Sequence, residues 1–487
     1  MPLREERHSR RTPSRRWRRA LGWLPEVVVV LLVVSAFVIE QYDLADELFG
    51  HDARTTPAAV QPPEGLKLSA QGVADPVAVA VTGGSVDPAA VRRALSSYAA
   101  DAGLGGHAAV WVSELGSGRV VYRHGAGVVV PASTMKLLTS TAALQVLGPS
   151  ARFATTVRLA PGGRVTLVGG GDPFLASSKA KAKGIYPARA DLDTLAQRTA
   201  AALVAQQLRT VTLAYDVSLF TGPRVSPHWP STYLPEDVVP PITALWADEG
   251  RGTNDRYVAD PAAEAAALFA KALARHGIVV RGRVDEVPAG AGTTEIARVS
   301  SAPVGQIVEK TLAVSDNNAA EVLAHHVGRV TGAGASFAGG ATAVSSVLGK
   351  LGVPMAGSVL RDGSGLSREN RLTPDALLAV LRLAGASDHP RLREVLTGLP
   401  VAGFTGSLQW RFEKGPADAK GRVRAKTGTL TGVSGLAGVA VDADGNRMAF
   451  VAIADKVTSS GLARADLDQI AAALGACRCG TPSTTGP

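Results

Sequence analysis

Apolar residues with two different periods alternate along most of the chain and predict a mixture of helices and strands. A helical stretch at 91–103 leads into two β-prone runs within 108–125, and the glycines at 116–118 between them are typical of a hairpin turn. A second pair of β-prone runs lies at 422–455, with a turn at 442–446. Strands near both ends and helices between them predict an α/β body whose sheet combines N-terminal and C-terminal segments.

The middle of the chain has a different pattern. From about 153 to 287, short β-prone runs alternate with helical stretches at 191–208 and 261–277, and a proline-rich passage occupies 226–245. This change of pattern predicts an independently folded mixed α/β insert, placed at 156–290.

The length and the charge distribution restrict the possible classes of protein. A chain of 487 residues is longer than a single hydrophobic core usually supports, so we expect two or more folded units. Its net charge of +9 is concentrated in residues 1–19, which hold eight arginines and two glutamates. The basic character therefore belongs to the N-terminal tail, and we expect no nucleic-acid partner for the folded body.

An apolar segment at 20–40 follows the arginine-rich tail directly. Only Ser35 is polar between Val27 and Ile39, and this arrangement is typical of an export signal or a signal anchor. Both a cleaved signal peptide and a retained anchor remain open. In either case we expect an extracytoplasmic body in the cell envelope, joined to the segment by a flexible tether.

Two cysteines and nine histidines give little indication of a redox or metal site. Cys477 and Cys479 either close a small disulfide ring or are incidental thiols of a frayed tail. The histidines show no ligand spacing, and the GGGDP stretch at 169–173 lacks the GK[ST] of a phosphate loop. We expect neither a metal nor a cofactor.

A serine and a lysine stand three residues apart just before a helical run. In one interpretation Ser133 caps the helix after Pro131, and Lys136 is solvated. In the other, the spacing brings hydroxyl and ammonium together on one helical face, where the amine can activate the oxygen. The four residues alone do not decide between the two.

Two further short motifs follow in a fixed order. The segment 315–317 (SDN) lies between two helical stretches, where Ser315 and Asn317 are also ordinary capping residues. The KTG of Lys426 lies on a β-prone run whose alternation puts Lys426 on the same side as Arg422 and Arg424. A glycine within a strand, here Gly428, commonly marks the close approach of another backbone or a ligand.

Together the three motifs form the signature of the penicillin-recognising serine enzymes. The 182-residue gap between the first two motifs and the stretch DGSGLSRENRLTP at 362–374 make the resemblance more specific. From about residue 86 to 475 the chain resembles the class C low-molecular-mass penicillin-binding proteins, which are D-alanyl-D-alanine carboxypeptidases and endopeptidases. The resemblance implies an antiparallel sheet of about five strands flanked by helices, interrupted by an inserted domain.

The resulting division of the chain is the following: basic tail 1–19, signal or anchor 20–40, tether 41–85, first part of the transpeptidase-like domain 86–155, insert 156–290, second part 291–475, and disordered tail 476–487.

The motifs predict acyl transfer through a serine. No histidine accompanies them, so Lys136 is the candidate base for Ser133. Partial burial and the charge of Lys426 are expected to lower the pKa of Lys136. Ser315 is expected to relay a proton to the departing D-alanine, and Asn317 to bind the substrate amide.

Substrate recognition is implied by the same resemblance. Lys426 and Thr427, followed by Gly428, would meet the terminal carboxylate of D-Ala-D-Ala. The backbone N–H groups of Ser133 and Thr429 would stabilise the oxyanion. Peptidoglycan stem peptides are the expected substrate, and β-lactams the expected covalent inhibitors.

Two questions stay open at this point. Arg368 either reads a carboxylate on the third residue of the peptide or forms a structural pair with Asp362 or Glu369. The alternative to an enzyme is a catalytically slow envelope scaffold or a β-lactam sensor. We see no glutamate set that would favour the rapid deacylation of a β-lactamase.

Overall fold

The computed structural model describes residues 85–98, 102–125 and 127–481. Within these ranges the chain forms ten strands: β1 (Ala108–Glu114), β2 (Val120–Gly125), β3 (Ala154–Leu159), β4 (Arg164–Val168), β5 (Thr210–Asp216), β6 (Val279–Glu286), β7 (Thr294–Ser300), β8 (Val423–Leu430), β9 (Val433–Val441) and β10 (Arg447–Ala454).

The same ranges contain eleven α-helices: α1 (Pro88–Leu95), α2 (Lys136–Leu147), α3 (Lys179–Ala182), α4 (Leu192–Ala205), α5 (Pro261–Arg275), α6 (Val304–Val314), α7 (Asn317–Val330), α8 (Phe337–Lys350), α9 (Pro374–Gly385), α10 (Arg393–Thr397) and α11 (Ser460–Ala476).

The first sheet combines the two ends of the described chain. Its strand order is β2-β1-β10-β9-β8, and every neighbouring pair is antiparallel. Apolar side chains on one face pack against α2 and α6–α9, and those on the other face pack against α1 and α11. Helix α2 is central, since residues 136–144 are all buried. The predicted five-stranded antiparallel sheet flanked by helices is confirmed.

The second sheet belongs to the insert. Its order is β6-β5-β4-β3-β7, with parallel pairing of β4, β5 and β6 and antiparallel pairing of β3 with β4 and β7. Helices α4 and α5 share a separate hydrophobic core with this sheet. Because β3 begins before residue 156 and β7 follows residue 290, the second sheet uses segments on both sides of the predicted insert boundaries.

The proline-rich passage of the insert packs on the body. Trp229 and Trp246 are buried in one cluster with Phe337 and Leu366. The indole N–H of Trp229 also donates to Oδ2 of Asp362 over 2.8 Å. The insert is therefore joined to the loop that begins at Asp362 by both apolar and polar contacts.

The end of the described chain is tied to its beginning. Cys477 and Cys479 form a disulfide. The N–H of Asp87 donates to the carbonyl of Cys479 over 2.7 Å, and Val86 pairs with Gly480. Residues 477–481, which we expected to belong to a disordered tail, therefore have a defined place beside α1.

The predicted basic tail, export segment and tether, apart from residue 85, lie outside the described residues. Among the helices that the structure describes, none has the length and the apolar character required to cross a membrane.

Candidate active site

The first motif lies where a short turn enters the central helix. A 3₁₀ turn at Ala132–Met135 precedes α2. Ser133 is partly exposed within this turn, and its Oγ accepts a hydrogen bond from Nζ of Lys136 over 2.9 Å. The side chain of Ser133 therefore faces the lysine, as the second interpretation of the motif requires.

Lys136 is completely buried. Besides Ser133, its Nζ contacts Oδ1 of Asn317 and the carbonyl of Ser364, each at 2.7 Å. Burial lowers the pKa of Lys136 to about 8. A neutral amine keeps two donors and one lone pair. With the donors on Asn317 and Ser364, that lone pair is available to the hydroxyl of Ser133.

Carboxylates stand behind Lys136. Glu321 is buried and accepts hydrogen bonds from the N–H groups of Gly363 (3.0 and 3.1 Å) and Ser364 (2.7 Å). Burial, with a further contribution from Asp362, raises the pKa of Glu321 to about 8. Both carboxyl groups favour the charged form of Lys136 and so oppose the effect of its burial.

The second motif forms a bend between two helices. Helix α6 ends at Val314, and Ser315 adopts a left-handed conformation with φ of 62°, which is uncommon for a residue other than glycine. Asp316 then caps α7 by accepting from the N–H of Ala319 over 2.9 Å. The bend directs Ser315 and Asn317 into the same cleft, as the sequence predicts.

The third motif lies on β8, against the turn of the first. Lys426 is completely buried although Arg424, on the same face of the strand, is exposed. Two residues further along β8, the strand meets the turn that contains Ser133, because a Cβ on Gly428 would lie 2.9 Å from the carbonyl oxygen of Pro131. The absence of a side chain at residue 428 therefore allows the turn and the strand to meet.

Lys426 contacts the hydroxyl groups of Ser315 and Thr427. Its Nζ lies 2.8 Å from Oγ of Ser315 and 3.4 Å from Oγ1 of Thr427. Thr427 is in turn 3.0 Å from Oγ of Ser407. Burial lowers the pKa of Lys426 well below its usual value, and the neighbouring Lys136 and Arg411 lower it further.

We expected burial and the charge of Lys426 together to lower the pKa of Lys136. Burial has this effect. Burial also lowers the pKa of Lys426, and repulsion between the two ammonium groups, which opposes charging both at once, lowers it further.

The remaining two predicted residues lie at the exposed edge of the cleft. Thr429 is exposed on β8 opposite Ser434. Arg368 is exposed, and its Nη2 donates to the carbonyl of Thr431 over 2.9 Å. Within the described ranges, neither Asp362 nor Glu369 forms an ion pair with Arg368.

Three groups that contact or act on the motif residues were not predicted from the sequence. Glu321 stands four residues after Asn317 on α7, and this helical spacing was available as a signal. Ser407 lies in the stretch LPVAGFTGSL at 399–408, and its residue type indicates no role. The carbonyl of Ser364 cannot be recognised from the sequence, because every residue has a backbone carbonyl group and only the fold decides which one reaches Lys136.

One group among the described residues has the spacing of metal ligands, namely Asp442, Cys477 and Cys479. Both sulfurs are joined in the disulfide. The carboxylate of Asp442 already accepts hydrogen bonds from Asp444 and Asn446 in its own turn. These three residues do not fit a metal site in this state.

Fold and cleft together define a serine-type peptidase of the penicillin-binding class. Residues 91–256 and 252–475 match the model of the D-Ala-D-Ala carboxypeptidase 3 (S13) family. The chain belongs to this family, and the resemblance to low-molecular-mass penicillin-binding proteins is confirmed.

Relatives match almost the whole chain. It is 34% identical over 478 residues to a carboxypeptidase of Mycobacterium tuberculosis, with 96% of this chain and 99% of the relative covered. It is 33% identical to carboxypeptidase DacB of Mycolicibacterium smegmatis, with the same coverage. The crystal structure of penicillin-binding protein 4 from Haemophilus influenzae shares the fold, with a TM-score of 0.66 at 24% identity, covering 80% of this chain and 98% of that one.

Proposed function

We propose that the protein is a serine D-Ala-D-Ala carboxypeptidase that trims peptidoglycan stem peptides through an acyl-enzyme on Ser133. The observation that carries the proposal is the 2.9 Å contact between Oγ of Ser133 and the buried amine of Lys136. Family membership and relatives named carboxypeptidases support it.

Acylation begins with a proton transfer. Neutral Lys136 takes the proton of Ser133, whose Oγ attacks the carbonyl carbon of the penultimate D-alanine. The N–H groups of Ser133 and Thr429 would receive the developing oxyanion. The C–N bond then breaks, and the proton held by Lys136 passes through Ser315 to the departing D-alanine amine, which leaves Lys136 neutral again. The contact with Lys426 keeps Ser315 in place.

Water completes the cycle. It attacks the acyl carbon, Lys136 accepts a proton from it, and Ser133 leaves as the alcohol with the trimmed peptide released. A β-lactam enters the same first step, and its ring carbonyl becomes the ester carbonyl on Ser133.

The substrate carboxylate would bind on the other side of the cleft. Lys426 and Thr427 supply an amine and a hydroxyl for it, and Gly428 lets the turn that contains Ser133 approach this strand closely. A carboxylate beside Lys426 favours the ammonium form, so binding itself restores the charge that burial disfavours. Arg368 forms no ion pair with Asp362 or Glu369 in the described chain. Its guanidinium group can therefore bind a carboxylate on the third residue of the peptide.

We also propose an extracytoplasmic location, with attachment to the membrane if the segment 20–40 is retained. The support is the arginine-rich tail directly before an apolar run. Substrate and inhibitor of a wall carboxypeptidase are both encountered on that side of the membrane.

Labelling with a fluorescent penicillin tests the nucleophile. Ser133→Ala is expected to abolish covalent labelling and the release of D-alanine from a pentapeptide. Ser178→Ala is the matched control, because Ser178 and Lys181 have the same spacing but Ser178 caps the short helix α3. Labelling that survives in Ser133→Ala would refute the proposal, and labelling without D-alanine release would favour a sensor.

A further inference from the structure

The insert contacts the helix that carries the second motif. Asn318, directly after Asn317, is only 3% exposed. Its Nδ2 donates to the phenolic oxygen of Tyr257 over 3.1 Å. Tyr257 belongs to the insert, in the segment before α5, and this hydrogen bond joins the insert to the first turn of α7.

Tyr257 is held by the insert itself. Its N–H donates to Oδ1 of Asp237 over 2.7 Å. The guanidinium of Arg251 lies 4.0 Å from the centroid of its ring and 3.3 Å from Oδ2 of Asp237. A residue with a fixed backbone and a stacked ring presents its hydroxyl at a defined point, as a positioning role requires.

The bend that Tyr257 contacts is not a relaxed structure. Ser315 has a positive φ, and such a residue persists only where its surroundings hold it. Oδ1 of Asn318 is buried and has no hydrogen-bond partner within the described chain. The hydroxyl of Tyr257 is therefore the side-chain partner that the structure gives the amide of Asn318. Removal of this hydroxyl would leave both the nitrogen and the oxygen of the amide without a hydrogen bond from the described residues.

The first turn of α7 transmits this contact to the cleft. Asn317 and Asn318 are successive residues, so a shift of one moves the other. Oδ1 of Asn317 lies 2.7 Å from Nζ of Lys136, and Ser315 on the same bend lies 2.8 Å from Nζ of Lys426. Both lysine contacts depend on where the bend is held.

We propose that Tyr257 is a positioning residue for the reaction, which holds Asn318 and thereby places Asn317 and Ser315 against the two lysines. The insert in this way completes the catalytic cleft. The inference rests on the proposed function, because it concerns the rate of acylation of Ser133.

The variant Tyr257→Phe removes only the hydroxyl. Loss of one such hydrogen bond is expected to lower the acylation rate and the kcat for D-alanine release about five-fold, with KM changed less than about two-fold. A loosened bend admits water to Lys136 and moves its pKa toward the ordinary value. The acid limb of the pH profile should therefore shift to higher pH, and the deficit should shrink in alkaline solution.

Two comparisons separate positioning from general destabilisation. Tyr186→Phe is the matched control, since the hydroxyl of Tyr186 also joins the insert to the body but contacts Glu309 on α6. It is expected to leave the rate and the acid limb unchanged. In a double-mutant cycle, Tyr257→Phe combined with Asn318→Ala should be no slower than the slower single variant.

The inference is overturned if Tyr257→Phe acylates at the wild-type rate, if Tyr186→Phe loses as much, or if the two losses in the cycle multiply. A wild-type protein that neither binds penicillin covalently nor releases D-alanine would instead refute the proposed function. The two failures are thus distinguishable in one set of measurements.

Discussion

The two sides of the cleft contain the same pair of residue types in opposite electrostatic surroundings. On one side Lys136 contacts Ser133, and on the other Lys426 contacts Ser315 at nearly the same distance. Both lysines are completely buried. Carboxyl groups such as Glu321 raise the pKa of Lys136, whereas the charged groups that act on the pKa of Lys426 are the cations Lys136 and Arg411.

This difference in surroundings distinguishes the role of Lys136 from that of Lys426, which the residue type alone cannot do. The carboxylates moderate the effect of burial, so the pKa of Lys136 falls only to about 8, close to the pH at which a general base is most effective. For Lys426, burial and the neighbouring cations both act to lower the pKa until an anion arrives. The first lysine is suited to take a proton from Ser133, and the second to receive a carboxylate.

Exchange of each lysine for methionine gives the largest contrast. Lys136→Met is expected to lower the rate of penicillin acylation about 1000-fold, because the base in contact with Ser133 is removed. Lys426→Met should cost about 30-fold, since it removes one charge-assisted hydrogen bond to the substrate. Stopped-flow or gel-based labelling over a range of penicillin concentrations measures both.

The order of the two effects is the decisive result. Equal losses would mean that the lysines act as one unit, and a larger loss for Lys426→Met would reverse the assignment. Lys271→Met, on helix α5 of the insert, controls for the loss of a positive charge and should label at the wild-type rate.

The parts of the site that the sequence predicts are local. One helical turn separates Ser133 from Lys136, and the SDN segment lies between two helical patterns, so each motif could be placed on its element. The order of the motifs then predicted a shared cleft, and the sheet that combines early and late segments of the described chain forms one wall of it.

The parts that the sequence does not predict depend on what covers a residue. Strand alternation assigns Arg424 and Lys426 to one face, but Lys426 is buried beside Ser315 whereas Arg424 is exposed. Likewise, Arg368 binds the backbone of Thr431 instead of a carboxylate. Tertiary contacts of this kind carry no periodic signal.

Removing the negative charge behind Lys136 tests the cause of the difference. The acylation rate of the wild type should rise with pH through about 8, because the neutral amine is the reactive form. Glu321→Gln removes a charge that favours the ammonium form, so the acid limb should move to lower pH. The shift should be less than about one unit, since Glu321 itself is only partly ionised near its raised pKa.

Glu295→Gln, on β7 of the insert, is the control for this experiment and should leave the limb in place. An acid limb that stays fixed or moves to higher pH in Glu321→Gln would show that this carboxylate does not set the proton affinity of Lys136. The pH dependence would then follow from burial and the remaining carboxyl groups, such as Asp362.

On the side of Lys426, the smallest expected effect comes from a hydroxyl that contacts the lysine only through a neighbour. Oγ of Ser407 lies 3.0 Å from Oγ1 of Thr427, and Thr427 is the proposed donor to the substrate carboxylate. Ser407→Ala frees this hydroxyl to rotate and should raise KM for a D-Ala-D-Ala peptide about two-fold with kcat unchanged. Ser117→Ala, in the turn between β1 and β2, should leave both constants unchanged. A fall in kcat instead would place Ser407 on the proton-transfer side of the cleft, because ground-state binding alone cannot lower the turnover of the bound peptide.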